Sequence, residues 1–247
     1  MVRTAIILAA GFGSRLGDLT NEMPKGFLEV GNKSLISRSV ECLLRNGVNK
    51  IYIGTGHLSE YYDELAARYD NLISCVKNDR YAISSSMDTL FNLRHVVNED
   101  FLLLESDLLY EDRALSTLME ADQKNIVLAS GKTSSGDEVY INADDRGSLV
   151  SMTKDLAAAD GAFGELVGIS KVSIEAYQQM CAIFSRQGPL TIDYEYVMAN
   201  VAHPDNFIVH RIEDLAWCEI DDEDHLERAS SKVIFALDAA NDRHSRH

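Results

Sequence analysis

Within the first sixteen residues an apolar run of strand length breaks off into a glycine-rich loop: Ala-Ile-Ile-Leu-Ala-Ala-Gly-Phe-Gly-Ser-Arg-Leu. The run commits this end of the chain to a buried strand. Glycines behind it let the backbone approach a ligand closely, with amide N–H groups aimed at it. Arg15 lies in the loop, and Lys25 follows ten residues later. A polyphosphate would therefore meet two cations as well as the amides of residues 10–14. Two commoner phosphate loops are excluded by spelling. No Gly-x-x-x-x-Gly-Lys-Ser/Thr string exists, and Leu16 stands where Gly-x-Gly-x-x-Gly needs its third glycine.

Beyond the loop, strand-like runs at 4–10, 50–55, 72–76 and 101–104 alternate with helical spacing at 35–45, 61–69 and 87–97. Asn46-Gly47 reads as a left-handed stop for the first helix, and residues 84–86 supply candidate serine caps for the third. This order predicts an α/β fold, a parallel sheet with helices on both faces. Ligands in such sheets sit beyond the carboxyl ends of the strands, where the glycine loop and the acidic turn after Leu104 both fall. The second half changes texture. Short β-like runs at 125–130, 138–142, 148–153 and 165–172 predict a mixed or antiparallel extension. Helices are expected at 174–184 and 194–201, a strand at 207–210, and a helix from 223 past 233. No proline- or glycine-rich linker divides the chain. Residues 1–240 are expected to form a single domain, 1–110 its nucleotide-binding half and 111–240 its acceptor-binding half, with 241–247 a polar tail.

The net charge of −16 disfavours nucleic acid, because a polyanion needs a basic face. It equally disfavours a polybasic membrane attachment. No stretch reaches the roughly 20 apolar residues of a membrane span. The four cysteines are scattered with no Cys-x-x-Cys pair, the pattern of free thiols in a reducing cytoplasm. An acidic protein that takes a triphosphate must concentrate its few cations at the site and recruit a divalent metal. Asp107 follows the apolar run Phe-Leu-Leu-Leu-Glu-Ser, and Asp221 follows Trp-Cys-Glu-Ile. A carboxylate at the end of a buried strand is costly unless it is paired or ligates an ion. Both could instead be helix caps. Two carboxylates converging on a triphosphate would make an oxygen-only site suited to Mg²⁺.

Taken together, these residues resemble the nucleotidyltransferases that activate phosphorylated small molecules. Residues 8–16, Pro24-Lys25-Gly26, Asp107 and Trp217-Cys-Glu-Ile-Asp221 carry the likeness. It implies a Rossmann-like α/β sheet and a reaction of NTP with a phosphorylated acceptor that releases pyrophosphate. Asn78-Asp-Arg-Tyr81, Ser84-Ser85-Ser86-Met87, residues 135–139, Lys154-Asp155, residues 164–168 and Asp193-Tyr194-Glu195 narrow it. They resemble the branch that uses CTP with phosphocholine or 2-aminoethylphosphonate, although relatives often carry asparagines where this chain has Ser84 and Ser85. The resemblance implies catalytic roles for Arg15 and Lys25, and Mg²⁺ on Asp107 and Asp221. It implies nucleotide contacts from Leu8, Ala9, Ala10, Gly11, Phe12, Gly13, Ser14, Ser85, Ser86, Met87 and Ser106. Acceptor contacts are expected from Lys154 to the phosphonate, and from Glu165, Asp193, Tyr194 and Glu195, carboxylate and aromatic groups that suit an ammonium. A homodimer is compatible with this picture. The nearest rival is a sugar-1-phosphate or inositol-1-phosphate nucleotidyltransferase. A non-catalytic nucleotide-binding subunit is a more distant one, since it could dispense with Arg15, Lys25 or Asp107.

Overall fold

The computed structural model describes residues 2–133, 135–136, 138–158, 160–187, 190–201 and 206–244. The first half runs β1 (Thr4–Ala9), β2 (Glu29–Val30), β3 (Lys33–Ser34), α1 (Leu35–Arg45), β4 (Lys50–Thr55), α2 (Ser59–Ala67), β5 (Ile73–Lys77), α3 (Ser86–Asn92) and β6 (Phe101–Glu105). It continues with β7 (Leu108–Tyr110), α4 (Arg113–Glu120), β8 (Ile126–Ser130), β9 (Tyr140–Ala143), β10 (Leu149–Thr153) and β11 (Gly164–Val172). The chain closes with α5 (Ile174–Gln187), α6 (Tyr194–Met198), β12 (Ile208–Ile212), β13 (Trp217–Glu219), α7 (Glu223–Arg228) and α8 (Ile234–His244).

The main sheet has the order β10-β9-β11-β6-β1-β4-β5, with β8 and β12 branching from β11. Strands β6, β1, β4 and β5 are mutually parallel. Strand β11 runs antiparallel to β6, β8 and β9, which makes the mixed extension. From β1 the chain steps outward to β4 and β5, then returns to β6 on the other side of β1. That reversal is a topological switch point, where parallel sheets open a crevice beyond their carboxyl ends. The glycine loop leaves β1 there, and Asp107 leaves β6 beside it.

Side-chain alternation along the central strands explains why they read as unbroken apolar runs. On one face Ala5, Ile7, Ile51, Ile53, Leu102 and Leu104 pack under α1, α2 and α4, which contribute Ile36, Val40, Tyr62 and Leu115. On the other, Ile6, Leu8, Phe101 and Leu103 meet Met87, Leu90, Tyr177 and Val197 from α3, α5 and α6. Helices therefore cover both faces. Helix α1 shows the local logic: Ser34 Oγ accepts from the Ser37 amide at 3.4 Å, and Gly47 at φ 84° ends the helix.

A third, smaller core holds Leu16 and Leu28 against Leu109, Cys218 and Ile220, with Ala229, Ile234 and Leu237 beneath them. It fixes the segment carrying Arg15 and Lys25 to the two strands that carry the acidic residues. Most element limits fall within a few residues of the sequence expectation. Helix α3 is shorter, with a 3-10 turn over Leu93–His95, and α2 begins earlier at Ser59. The expected polar tail begins as helix, because α8 is anchored through buried Ile234 and Leu237 and continues to His244. Residues 245–247 lie outside the described residues. Among the described residues no helix is long and apolar enough to cross a membrane. Leu103 is fully buried in the central sheet, so Leu103→Ala is expected to lower unfolding free energy by about 2–5 kcal/mol in urea titration.

Candidate active site

Glycine-loop residues Ala10, Gly11, Phe12, Gly13 and Ser14 form one wall of an open cleft of about 470 Å³. Gly13 has φ 69°, and a Cβ there would meet Lys25 Cγ at 2.8 Å. The position thus needs glycine twice, for its left-handed backbone and for the passage of the lysine side chain. Thr20 Oγ1 donates to the Gly13 carbonyl at 2.9 Å and pins the loop. Phe12 leans on His57 and Tyr81, with centroids 5.0 and 5.2 Å away. Opposite the loop, Ser84, Ser85, Ser86 and Tyr81 line the same cleft. Asn78 Nδ2 holds that segment by donating to Ser84 Oγ and Thr89 Oγ1, each at 3.1 Å.

Lys25 and Asp107 line the cleft, and Asp221 and Arg15 join them there through ion pairs. Lys25 Nζ donates to Asp107 Oδ2 at 3.2 Å and to Asp221 Oδ1 still more closely. Arg15 Nη2 reaches the other oxygen of Asp221 at 2.7 Å. The capping explanation for the two aspartates is excluded. Asp107 lies in the turn between β6 and β7, with no helix following directly. Helix α7 is capped by Asp222, whose Oδ1 accepts from the His225 amide at 2.8 Å, not by Asp221. The two acidic segments meet because β13 pairs antiparallel with β7, setting Glu219 opposite Leu108. An Ile220 N–H bond to the Asp107 carbonyl at 3.0 Å extends that pairing.

Glu105 and Glu219 also belong to this cluster, and the sequence reading did not name them. Their carboxylate oxygens and one from Asp107 all lie within 4.8 Å of one another. A usable signal existed: each glutamate stands two residues before a predicted aspartate, and alternate residues of an extended segment share a face. Burial, then the charges of Asp107 and Glu195, pushes the Glu105 carboxyl up to about 8, partly opposed by the Tyr194 hydroxyl. Burial, then Glu105 and Asp107, raises Glu219 well above its ordinary value. Burial and mutual repulsion make a bound cation favourable here. The donor set is all oxygen, which fits a hard divalent ion such as Mg²⁺. Glu105 has room because β11 breaks register between Leu166 and Ser170. Within that bulge Gly168 adopts φ 78°, and a Cβ on it would lie 2.8 Å from Glu105 Oε2.

Behind the cluster is a smaller pocket of about 70 Å³ that shares Glu105, Lys154, Glu195 and Glu219 with the cleft. Glu138, Glu165, Trp217, His225 and Arg228 also line it. Lys154 and Glu195 therefore sit at the junction of the two spaces. Burial, then Asp193, pushes Glu195 up to about 7, with Lys154 opposing. Glu165 Oε2 accepts from the Thr133 amide and hydroxyl, both at 2.7 Å. Asp193 faces the cleft and also accepts from Ser86 Oγ at 3.1 Å, tying α6 to α3.

Other expected contacts fall differently. Tyr194 is 1% exposed, and its hydroxyl donates to Glu105 at 2.8 Å. It braces the acidic cluster, and its ring packs into the core beside α3 and α5. Met87 is fully buried in the same core. Leu8, Ala9 and Ser106 do line the cleft. Within the 135–139 segment, Asp137 lies outside the described residues.

A family model described as the MobA-like NTP transferase domain matches residues 5–172. The chain belongs to this family of nucleotidyltransferases. It is 27% identical over 235 residues to the CMP-5'-(3-aminopropyl)phosphonate synthase of Streptomyces rubellomurinus, covering 88% of this chain and 37% of that protein. It is 33% identical over 108 residues to the choline-phosphate cytidylyltransferase of Streptococcus pneumoniae, covering 44% and 46%. The matches thus span less than half the length of these two curated relatives. Among solved structures, the inositol-1-phosphate CTP transferase from T. maritima superposes with a TM-score of 0.79 at 19% identity, over 94% of this chain and 96% of that one. This likeness is one of fold.

If the four carboxylates act together on a divalent ion, Asp107→Asn and Glu219→Gln should each weaken Mn²⁺ binding by about tenfold or more, measured by electron paramagnetic resonance. Unchanged binding in Glu219→Gln would remove that residue from the set.

Proposed function

We propose that this protein transfers CMP from CTP to a small phosphonate or phosphorylated amine, with 2-aminoethylphosphonate the leading acceptor and phosphocholine the second, and releases pyrophosphate. The observation that carries this reading is the meeting of Lys25 and Asp107, which line a glycine-walled cleft, with Asp221 and Arg15 beside them, where that cleft shares walls with a carboxylate-lined pocket. The relatives named above, one a phosphonate CMP synthase and one a choline-phosphate cytidylyltransferase, support it.

In this reading an oxygen of the acceptor's phosphonate or phosphate attacks the α-phosphorus of CTP. The new P–O bond forms as the bond to the β-phosphate oxygen breaks. Because the acceptor oxygen is already anionic, no protein base is needed, and catalysis is alignment plus charge neutralisation. Arg15 holds the leaving phosphates. Lys25 steadies charge between the α-phosphate and the incoming acceptor. The amides of residues 10–14 cradle the nucleotide beside Ser85, Ser86 and Ser106. Asp107 and Asp221, with Glu105 and Glu219 beside them, would hold Mg²⁺, which would supply further charge neutralisation at the phosphates.

Lys154 at the junction suits the acceptor's phosphonate, and Glu195, Glu165 and Glu138 suit its amine. Trp217 is the one Phe, Tyr or Trp side chain among the described lining residues of this pocket, against five glutamates. An ammonium with N–H groups can hydrogen-bond to carboxylates, whereas a trimethylammonium depends on aromatic faces. That balance favours the primary amine.

The test is pyrophosphate release for four NTPs against 2-aminoethylphosphonate, phosphocholine, phosphoethanolamine and glucose 1-phosphate. Turnover is expected with CTP and the amine-bearing acceptors, and preference for glucose 1-phosphate would reject the assignment. Lys25→Ala and Arg15→Ala should each lower kcat by about 10² or more. Glu195→Ala should cost amine-bearing acceptors more than neutral ones, and an equal loss would remove its ammonium role.

A further inference from the structure

A cation of the chain's own, Lys25, stands among the carboxylates of this cluster. Lys25 Nζ bridges Asp107 and Asp221, and the lysine side chain is only 15% exposed. Arg15, by contrast, is 54% exposed and approaches Asp221 from one side. Asp107 is also one of the three carboxylates that cluster closely enough to share an ion. An ammonium and a divalent cation crowded onto the same carboxylate oxygens would repel each other strongly at this depth. Yet removing Lys25 with nothing in its place would leave buried like charges uncompensated.

We propose that Lys25 is the resident counter-ion of this carboxylate cluster in the nucleotide-free protein, and that it exchanges with the divalent cation for Asp107 and Asp221. The inference rests on the metal-site reading above and goes further by giving the lysine two alternating partners. When the cation loads, Lys25 swings off the aspartates, and its ammonium becomes available to the phosphates. A triphosphate assists by offering the displaced lysine a new anion. Metal binding is therefore weak in the free protein and strong with nucleotide, a positive coupling in which each partner relieves the other's cost.

The experiment measures Mn²⁺ affinity by electron paramagnetic resonance on the nucleotide-free protein, Lys25→Met and Arg15→Met. Lys25→Met should bind Mn²⁺ about tenfold or more tightly than the wild-type protein, with a smaller gain in Arg15→Met. A second measurement follows acetylation of Lys25 by mass spectrometry in the wild-type protein. The amine should be protected without metal and should react faster when Mn²⁺ is added. Thermal melts guard against a folding artefact: Mn²⁺ should raise the Tm of Lys25→Met more than that of the wild-type protein. Equal tightening in the two variants would mark a general charge effect and overturn the exchange. Mn²⁺ affinity unchanged or weaker in Lys25→Met, or Lys25 labelling indifferent to metal, would overturn the exchange while leaving the metal site standing. No Mn²⁺ binding in any of the three proteins would overturn the exchange and the metal site together.

Discussion

A cluster of mostly half-buried carboxylates around one lysine is the constraint on which the rest of this structure depends. Glu105, Asp107, Glu219 and Asp221 stand at the ends of two strand segments, with Glu195 close behind. Burying like charges is tolerable only with a partner of opposite sign and good geometry. Lys25 supplies that partner, and Arg15 adds a second at the rim. The third core exists in effect to hold these parts in register. Leu16 follows Arg15 directly and Leu28 lies three residues after Lys25, Leu109 and Ile220 stand close to the aspartates in the chain, and all four leucine and isoleucine side chains pack into one cluster. Apolar packing a few ångströms away thus fixes the position of charges that would otherwise repel one another.

The same arrangement explains why the cleft lies where it does. A parallel sheet that reverses its winding between β1 and β6 opens at its carboxyl edge, and this chain puts its glycine loop and its first aspartate on the two sides of that opening. The antiparallel extension then closes the far side. The bulge at Gly168 in β11 lets Glu105 stay in line, and the Tyr194 hydroxyl steadies it from α6. Elements with no direct share in phosphate binding therefore shape both the acidic cluster and the pocket behind it. In the proposed reading, chemistry at the α-phosphate and choice of acceptor would be joined by shared walls, since Glu105, Lys154, Glu195 and Glu219 border both spaces.

How much of this was legible in the chain depended on the range over which each signal acts. The alternation of strands and helices was readable because periodicity and turn chemistry are local, and Leu35–Arg45 and Lys50–Thr55 fall where their spacing puts them. The loop, Lys25, Asp107 and Asp221 were readable because each carries a local anomaly, a glycine run or a charge at the end of an apolar run. Glu105 and Glu219 were half visible, as residues sharing a face with those aspartates. Tyr194 was misleading: an aromatic beside two acids looks like an ammonium site, but helix α6 turns its ring into the core. His225 and Arg228 gave no local sign of lining a pocket, and Glu138 entered only through the resemblance of residues 135–139, because that pocket is assembled from segments remote in sequence.

By itself, then, the sequence determined the strand that ends in a glycine-rich loop, the parallel α/β core and the positions along the chain of the two cations and two aspartates. Those features follow from neighbours along the chain. Tertiary structure alone decided that β13 would lie against β7, bringing Asp221 to Asp107 and trapping Lys25 between them. The physical reason is that strand pairing and carboxylate repulsion act through space between distant segments. Their balance exists only once the third core has closed around them.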